Sequence, residues 1–327
     1  MDILNPRSLR DNAARALNRG RDPKKLVFSY AGIVLALSLV VTLGNLILDD
    51  RISGTGGLSN MGTRAIFSTI QQLLPAICSL VAMCLEFGYL SGMLRIARGQ
   101  YADHTDLKVG LQKFWPLVRL MILQGLVILL VAIVSFQAGS MMFAMTPWAE
   151  PVLEMSMELY NQDLTAIDEQ TLLNFMKAAT PMYVIGGILF FAALIPVLFR
   201  LRMSLYCLLD DPNGRAIAAM RSSNQMMRRR FLSMLKVDLS LWVYHLANVL
   251  IYVMMYIDLI LVLMGISVPM DPLVFSLLVY AAALVVQFGV QVTLRNKVEA
   301  VYITAYDRLR EKPKEGGPVV LGNIFDM

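Results

Sequence analysis

The chain has 327 residues, 57% of them hydrophobic and only 16% charged, and carries a net charge of +5. Soluble domains average about 45–50% apolar and about 25% charged residues, so an ordinary water-soluble domain is excluded and a polytopic membrane protein is indicated. The basic surplus falls between apolar stretches, and the one basic run, "MMRRRFL" at 226–232, lacks interleaved aromatic stacking residues, so no nucleic-acid partner is expected.

In chain order, residues 1–25 read as a cytoplasmic juxtamembrane helix. Asn5 is its N-cap, Pro6 sits in the first turn, and Leu9, Ala13 and Leu17 form a weak apolar face for the membrane surface. A six-span membrane domain is then predicted over 26–310. About 20 apolar residues as helix span a hydrocarbon core of about 30 Å, and six stretches qualify: 26–48, 66–94, 117–145, 181–199, 237–264 and 273–294. The first exceeds the usual h-region of a signal peptide and is followed by no small-residue cleavage site, so it reads as a retained span.

Between spans three and four, residues 146–180 are too long for a tight turn. "TAIDEQTLLNFMK", with Thr165 and Asp168 as a capping-box opening, predicts a short helical cap. Residues 210–234 predict a cytoplasmic elbow helix, with Ile217, Met220, Met227, Phe231 and Met234 on one face and Arg221 and Arg228 opposite. Residues 311–327 read as a flexible cytoplasmic tail.

Lys and Arg sort between alternate connections. Seven precede the first span, five lie in 95–119, eight in 200–236 and six from Arg295 onward; the intervening loops hold two, one and none. Cytoplasmic loops collect Lys and Arg, which places both termini on the cytoplasmic side of a cell membrane. The expected fold is therefore all-α, with six transmembrane helices and interfacial amphipathic helices. Arg228, Arg229 and Arg230 form a collar for the headgroups of the anionic inner leaflet.

The span at 237–264 contains Asp238, His245, Asn248 and Asp258, all costly in hydrocarbon. At about 100° per residue, Asp238, His245, Asn248, Tyr252 and Tyr256 share one stripe within about 80°, with Asp258 opposite. Span two places Gln72, Ser79 and Glu86 at sevenfold spacing, and span six offers Tyr280, Gln287 and Gln291. These groups cannot face lipid, so Glu86, Asp238, His245, Asn248, Tyr252, Gln287 and Gln291 are the candidate polar interior, with Glu86 directed at His245 or at water. Gly88 and Gly92 are spaced for close approach to a neighbouring helix or a second copy.

The stretch "SLYCLLDDPNGRAIAAMRSSNQMMRRRFLSMLKVDLSLW" at 204–242, with the Met226–Met227 pair, "LKVDLSLW" and the later "VYITAYDRL" at 301–309, resembles a bacterial family of integral membrane proteins, domain of unknown function 975. The arginines at 228–230 depart from the glycine of that pattern. The resemblance implies a six-span bacterial membrane protein and transfers no catalytic residues.

No zinc, Walker or nucleophile-elbow signature occurs, and neither the three cysteines nor the two histidines have ligand spacing. No cofactor or metal is expected. The leading expectation is a non-enzymatic component that binds or assists a membrane partner, or a second copy. The alternative is a small carrier or channel for an amphiphile or ion, built on a hydrated interior around Glu86 and His245; a lipid-modifying enzyme ranks third.

Overall fold

The structure, a computed structural model, describes residues 4–19, 23–54, 61–161, 169–211, 213–257, 260–261 and 272–311. Regular structure among them is entirely helical. In order come α1 (Pro6–Arg19), α2 (Lys24–Gly54), α3 (Met61–Ala97), a 3-10 turn (His104–Lys108), α4 (Val109–Gln112), α5 (Phe114–Ala144), α6 (Ala149–Asn161), α7 (Glu169–Leu201), α8 (Ser204–Asp210), α9 (Ala216–Met227), α10 (Phe231–Ser240), α11 (Trp242–Met255) and α12 (Pro272–Val290). A π-helical turn (Gln291–Arg295) then leads into α13 (Asn296–Glu311).

Five helical stretches are long and apolar enough to cross a membrane: Lys24–Leu48, Thr63–Ala97, Phe114–Ala144, Asn174–Asp210 and Val274–Glu311. A sixth is added if α10 and α11, bent by 73°, make one broken span. Long apolar runs adopt helices because each helix satisfies its own backbone N–H and C=O groups without water.

The chain divides into two units, residues 1–117 with 232–327, and residues 118–231. In the first unit α2 and α3 run antiparallel: Leu26 meets Gly92, Tyr30 stacks on Tyr89, and Leu74 meets Gly44. α12 joins α2 where Phe28 faces Phe288 at 6.1 Å between ring centroids. α13 is packed rather than loose, with Ala300, Ile303 and Ala305 fully buried. α1 lies against α13; its Leu9 and Ala13 are buried, Leu17 is half-buried, and Arg308 donates to the Ser8 carbonyl at 3.3 Å.

The connection after α3 folds back onto that helix. Asp106 accepts from Arg95 at 2.6 Å through one oxygen and from the Asp103 N–H at 2.8 Å through the other. Gly88 and Gly110 allow the approach: a Cβ on Gly88 would strike the Leu107 backbone, and one on Gly110 the Cys84 carbonyl. Gly92 faces Leu26 and Asp106 of the same chain, so both members of the Gly88–Gly92 pair serve packing within the first unit.

The segment expected as one continuous helix over 237–264 is broken. Leu241 leaves helical geometry (φ −107°, ψ 19°) between α10 and α11, although neither Gly nor Pro is present. Ser240 supplies a physical reason: its hydroxyl bonds back to the Val237 carbonyl at 2.7 Å, and its own carbonyl accepts from Arg10 at 3.4 Å. Such bonds compete with the helical ladder and bend it. The stripe drawn from Asp238 to Tyr256 is therefore split between two axes. Asp258 lies outside the described residues.

In the second unit α5 and α7 meet at glycine: a Cβ on Gly139 would lie 2.6 Å from the Gly186 Cα, and Phe136 covers Gly186. Within 146–180 lies α6, whereas the described part of the stretch read as a short cap, from Glu169 on, forms the start of the long α7 instead. Ala149 and Val152 of α6 pack with Phe143 and Ala179, backed by Phe175 and Met182. Thr165 and Asp168, the predicted capping pair, lie outside the described residues, as do residues 312–327. Within the residues read as an elbow helix, 210–234, α9 buries Ala216, Ala219, Ser223 and Met227 rather than Ile217, which is exposed. Ser223 sets that face: its hydroxyl donates to the Arg200 carbonyl at 2.7 Å and accepts the Met203 N–H at 3.1 Å, closing the end of α7.

Candidate functional site

Four polar side chains of the first unit, Tyr30, Glu86, Gln291 and Glu299, converge on Arg295. This residue ends the π-helical turn, whose extra residue shifts the helix face that follows. Its side chain is only 8% exposed. One Nη donates to Glu86 Oε1 at 2.6 Å; the other donates to Tyr30 Oη at 3.0 Å and Gln291 Oε1 at 2.9 Å. Nε lies 4.0 Å from Glu299 Oε1. The guanidinium also sits beside two stacked tyrosines, 4.7 Å from the Tyr30 ring centroid and 5.1 Å from that of Tyr89. A buried charge requires such company: opposite charge, hydrogen-bond acceptors and aromatic faces together offset the loss of water.

Glu86 is thus held by Arg295 rather than by His245. Its side chain is 47% exposed although its partner is buried, so the pair has one dry end and one open end. Tyr89 Oη and Arg295 Nε are buried without a hydrogen-bond partner among the described residues.

Asp238 and His245 meet through a third residue. Tyr302, from the buried face of α13, donates to Asp238 Oδ1 at 2.9 Å, and its oxygen lies 3.3 Å from His245 Nε2. This bridge joins α10 and α11 across their bend. The other expected interior residues are placed differently. Asn248 is half-buried and donates to the Tyr244 carbonyl of its own helix at 2.8 Å, Gln287 is half-buried, and the Tyr252 ring is exposed. In the second unit Arg228 and Arg229 are exposed and Arg230 is half-buried.

Sequence reasoning found Glu86 and Gln291 but assigned Arg295 to the cytoplasmic collar. A signal existed in the i, i+4 spacing Gln291–Arg295–Glu299, which places an acceptor one turn to each side of the guanidinium. Tyr30, the one tyrosine of the first span, and Tyr302 in "VYITAYDRL" were also missed; their partners lie more than fifty residues away.

Chemically, the cluster holds one buried cation, two nearby carboxylates and two phenols, and it braces α2, α3 and α12 with α13. Among the described residues no group of three His, Cys, Asp or Glu side chains could hold a metal ion. No family model, curated protein or solved structure matches this chain.

Proposed function

We propose that the chain is a six-span integral protein of a bacterial cell membrane, with both termini cytoplasmic, that acts without enzymatic chemistry by binding or assisting a membrane partner. Membership of the family named domain of unknown function 975 belongs to this proposal. The carrying observation is how the intramembrane polar groups are used. Glu86 closes on Arg295 and Asp238 on Tyr302 with its neighbour His245, so the groups that could have served catalysis link helices instead. The alternation of Lys and Arg between connections supports the orientation.

One observation favours the carrier reading instead: Glu86 is half-exposed while its counter-charge is buried, so an ionisable side chain within an apolar helix is left open on one side. Proton flux into proteoliposomes, followed with an entrapped pH-sensitive dye for the wild type and Glu86→Gln, separates the two. A bracing role predicts no protein-dependent flux in either. PH-dependent flux in the wild type that is lost in Glu86→Gln would replace the proposal with a proton-coupled carrier, because Gln cannot take or release a proton.

A further inference from the structure

In the second unit, the end of α7 and the turn after α9 enclose a cavity of about 390 Å³. Its floor is apolar: Pro196 and the rings of Phe199 and Phe231, whose centroids lie 4.6 Å apart. Its rim is basic: Arg200, Arg228 and Arg229 line it, with no carboxylate among the lining residues. Arg202 adds a fourth guanidinium over the Phe199 ring, at 5.8 Å. None of the three rim side chains makes an ion pair or hydrogen bond with the described residues, which leaves three clustered cations uncompensated.

The turn that presents Arg228 and Arg229 is strained. The Arg230 N–H donates to the Met227 carbonyl at 3.1 Å, closing a four-residue turn. Arg228, at φ −58° and ψ 127°, and Arg229, at φ 62°, give it type II geometry. The third position of that turn calls for glycine, and Arg229 is the one non-glycine residue at positive φ among those described. A cation therefore occupies a position that glycine would fill with less strain. Strain retained beside a cavity points to a function.

We propose that this cavity binds one anionic phospholipid. Its phosphate sits among Arg200, Arg228 and Arg229, and its glycerol and first acyl carbons lie over Phe199 and Phe231. A basic rim over an aromatic floor suits a molecule with an anionic head and an apolar stem. α7 leads to the cavity with exposed Ile195 and Leu198, an apolar path for the rest of the chain. Arg is also the side chain suited to a phosphate, through paired N–H donors. The site rests on the membrane reading above.

Native mass spectrometry of the full chain, released from nanodiscs holding equal phosphatidylglycerol and phosphatidylcholine, tests it. One phosphatidylglycerol should be retained preferentially by the wild type. Arg229→Gly, which suits the turn and should keep the fold, and Arg200→Gln should each lower that retention about fivefold, the worth of one cation near the headgroups. Arg221→Gln, an exposed arginine outside the cavity, should leave it unchanged. Equal retention in Arg229→Gly and the wild type overturns the site, and so does an equal loss in Arg221→Gln, which would signify diffuse surface attraction. Displacement of the lipid by millimolar glycerol 3-phosphate overturns the lipid assignment in favour of a soluble phosphate ester. A chain that fails to enter nanodiscs at all overturns the membrane reading together with the site, whereas insertion without selectivity overturns the site alone.

Discussion

Replacing Arg295 by Gln should destabilise the first unit far more than replacing its partner Glu86 by Gln. Arg295 is 8% exposed and Glu86 47%, so the two substitutions leave very different residues behind. Without Arg295, the buried Tyr30 hydroxyl and the Gln291 carbonyl oxygen lose a donor, and Glu299, 13% exposed, loses its nearby cation. Breaking a buried pair from its buried side costs about 3–5 kcal/mol, and the contact with two tyrosine rings adds to the loss. Without the Glu86 charge, an amide oxygen can still accept from Nη2, and the half-exposed side chain leaves no buried charge behind, so the cost should be about 1 kcal/mol. At roughly 2 °C per kcal/mol for a chain of this size, the shifts in Tm should be about 6–10 °C and about 2 °C. Purified protein in one detergent, heated at one scan rate with a thiol-reactive fluorophore, would report unfolding through the buried Cys84 and Cys207. The partly exposed Cys78 would be replaced beforehand. Equal shifts, or a larger one for Glu86→Gln, would refute the assignment of Arg295 as the centre of the cluster.

The orientation predicts that, in a cysteine-free background, a cysteine at position 161 is labelled from outside sealed cells and one at position 213 is not; the reverse pattern would invert the topology. Gly110→Ala should cost about 3 kcal/mol, the upper range for overpacking, because its Cβ would strike the Cys84 backbone, which cannot turn aside. Gly125→Ala, with nothing within 4 Å, should be neutral or stabilising; comparable losses in these two variants would refute the close crossing.

Much of the fold was legible because span length and hydropathy are local properties. Lys24–Leu48, Thr63–Ala97 and Asn174–Asp210 enclose the stretches read at 26–48, 66–94 and 181–199, and Phe114–Ala144 misses 117–145 by one residue. The break at Leu241 was not legible. No Gly or Pro marks it, and the Arg10 that takes the Ser240 carbonyl lies 230 residues away in sequence. The site divides along the same line. Residue type alone marked Glu86, Asp238, His245 and Gln291 as groups needing partners in an apolar setting. Their partners, Arg295 and Tyr302, follow from tertiary packing and from a π-helical turn that regular helical spacing omits. Arg295 was concealed further by position, since a cation at the end of an apolar stretch reads as a surface anchor until its burial is known.

The distribution of burial explains why so few contacts carry the packing. Only 6% of the apolar window in Asn174–Asp210 and 11% of that in Phe114–Ala144 are buried, against 39% in Thr63–Ala97. In lipid, a leucine gains little by leaving the acyl chains for another helix, so apolar area alone does not choose a register. Close backbone approach and polar partners can. In the first unit these include Leu26 at Gly92, Leu74 at Gly44, Gly110 at Cys84, the Tyr30–Tyr89 stack and the Arg295 cluster; in the second they include Gly139 against Gly186 and the Gln124–Ser204 hydrogen bond at 2.6 Å. A buried ion pair adds less stability than well-packed apolar side chains would, but its hydrogen bonds are directional and fail if a helix slides by one turn. The chemistry of Arg295 and Glu86 is therefore best suited to fixing which residues of α2, α3 and α12 face one another. Sensitivity to mutation should concentrate at these few positions and spare the exposed Leu, Ile and Val that make up most of the spans.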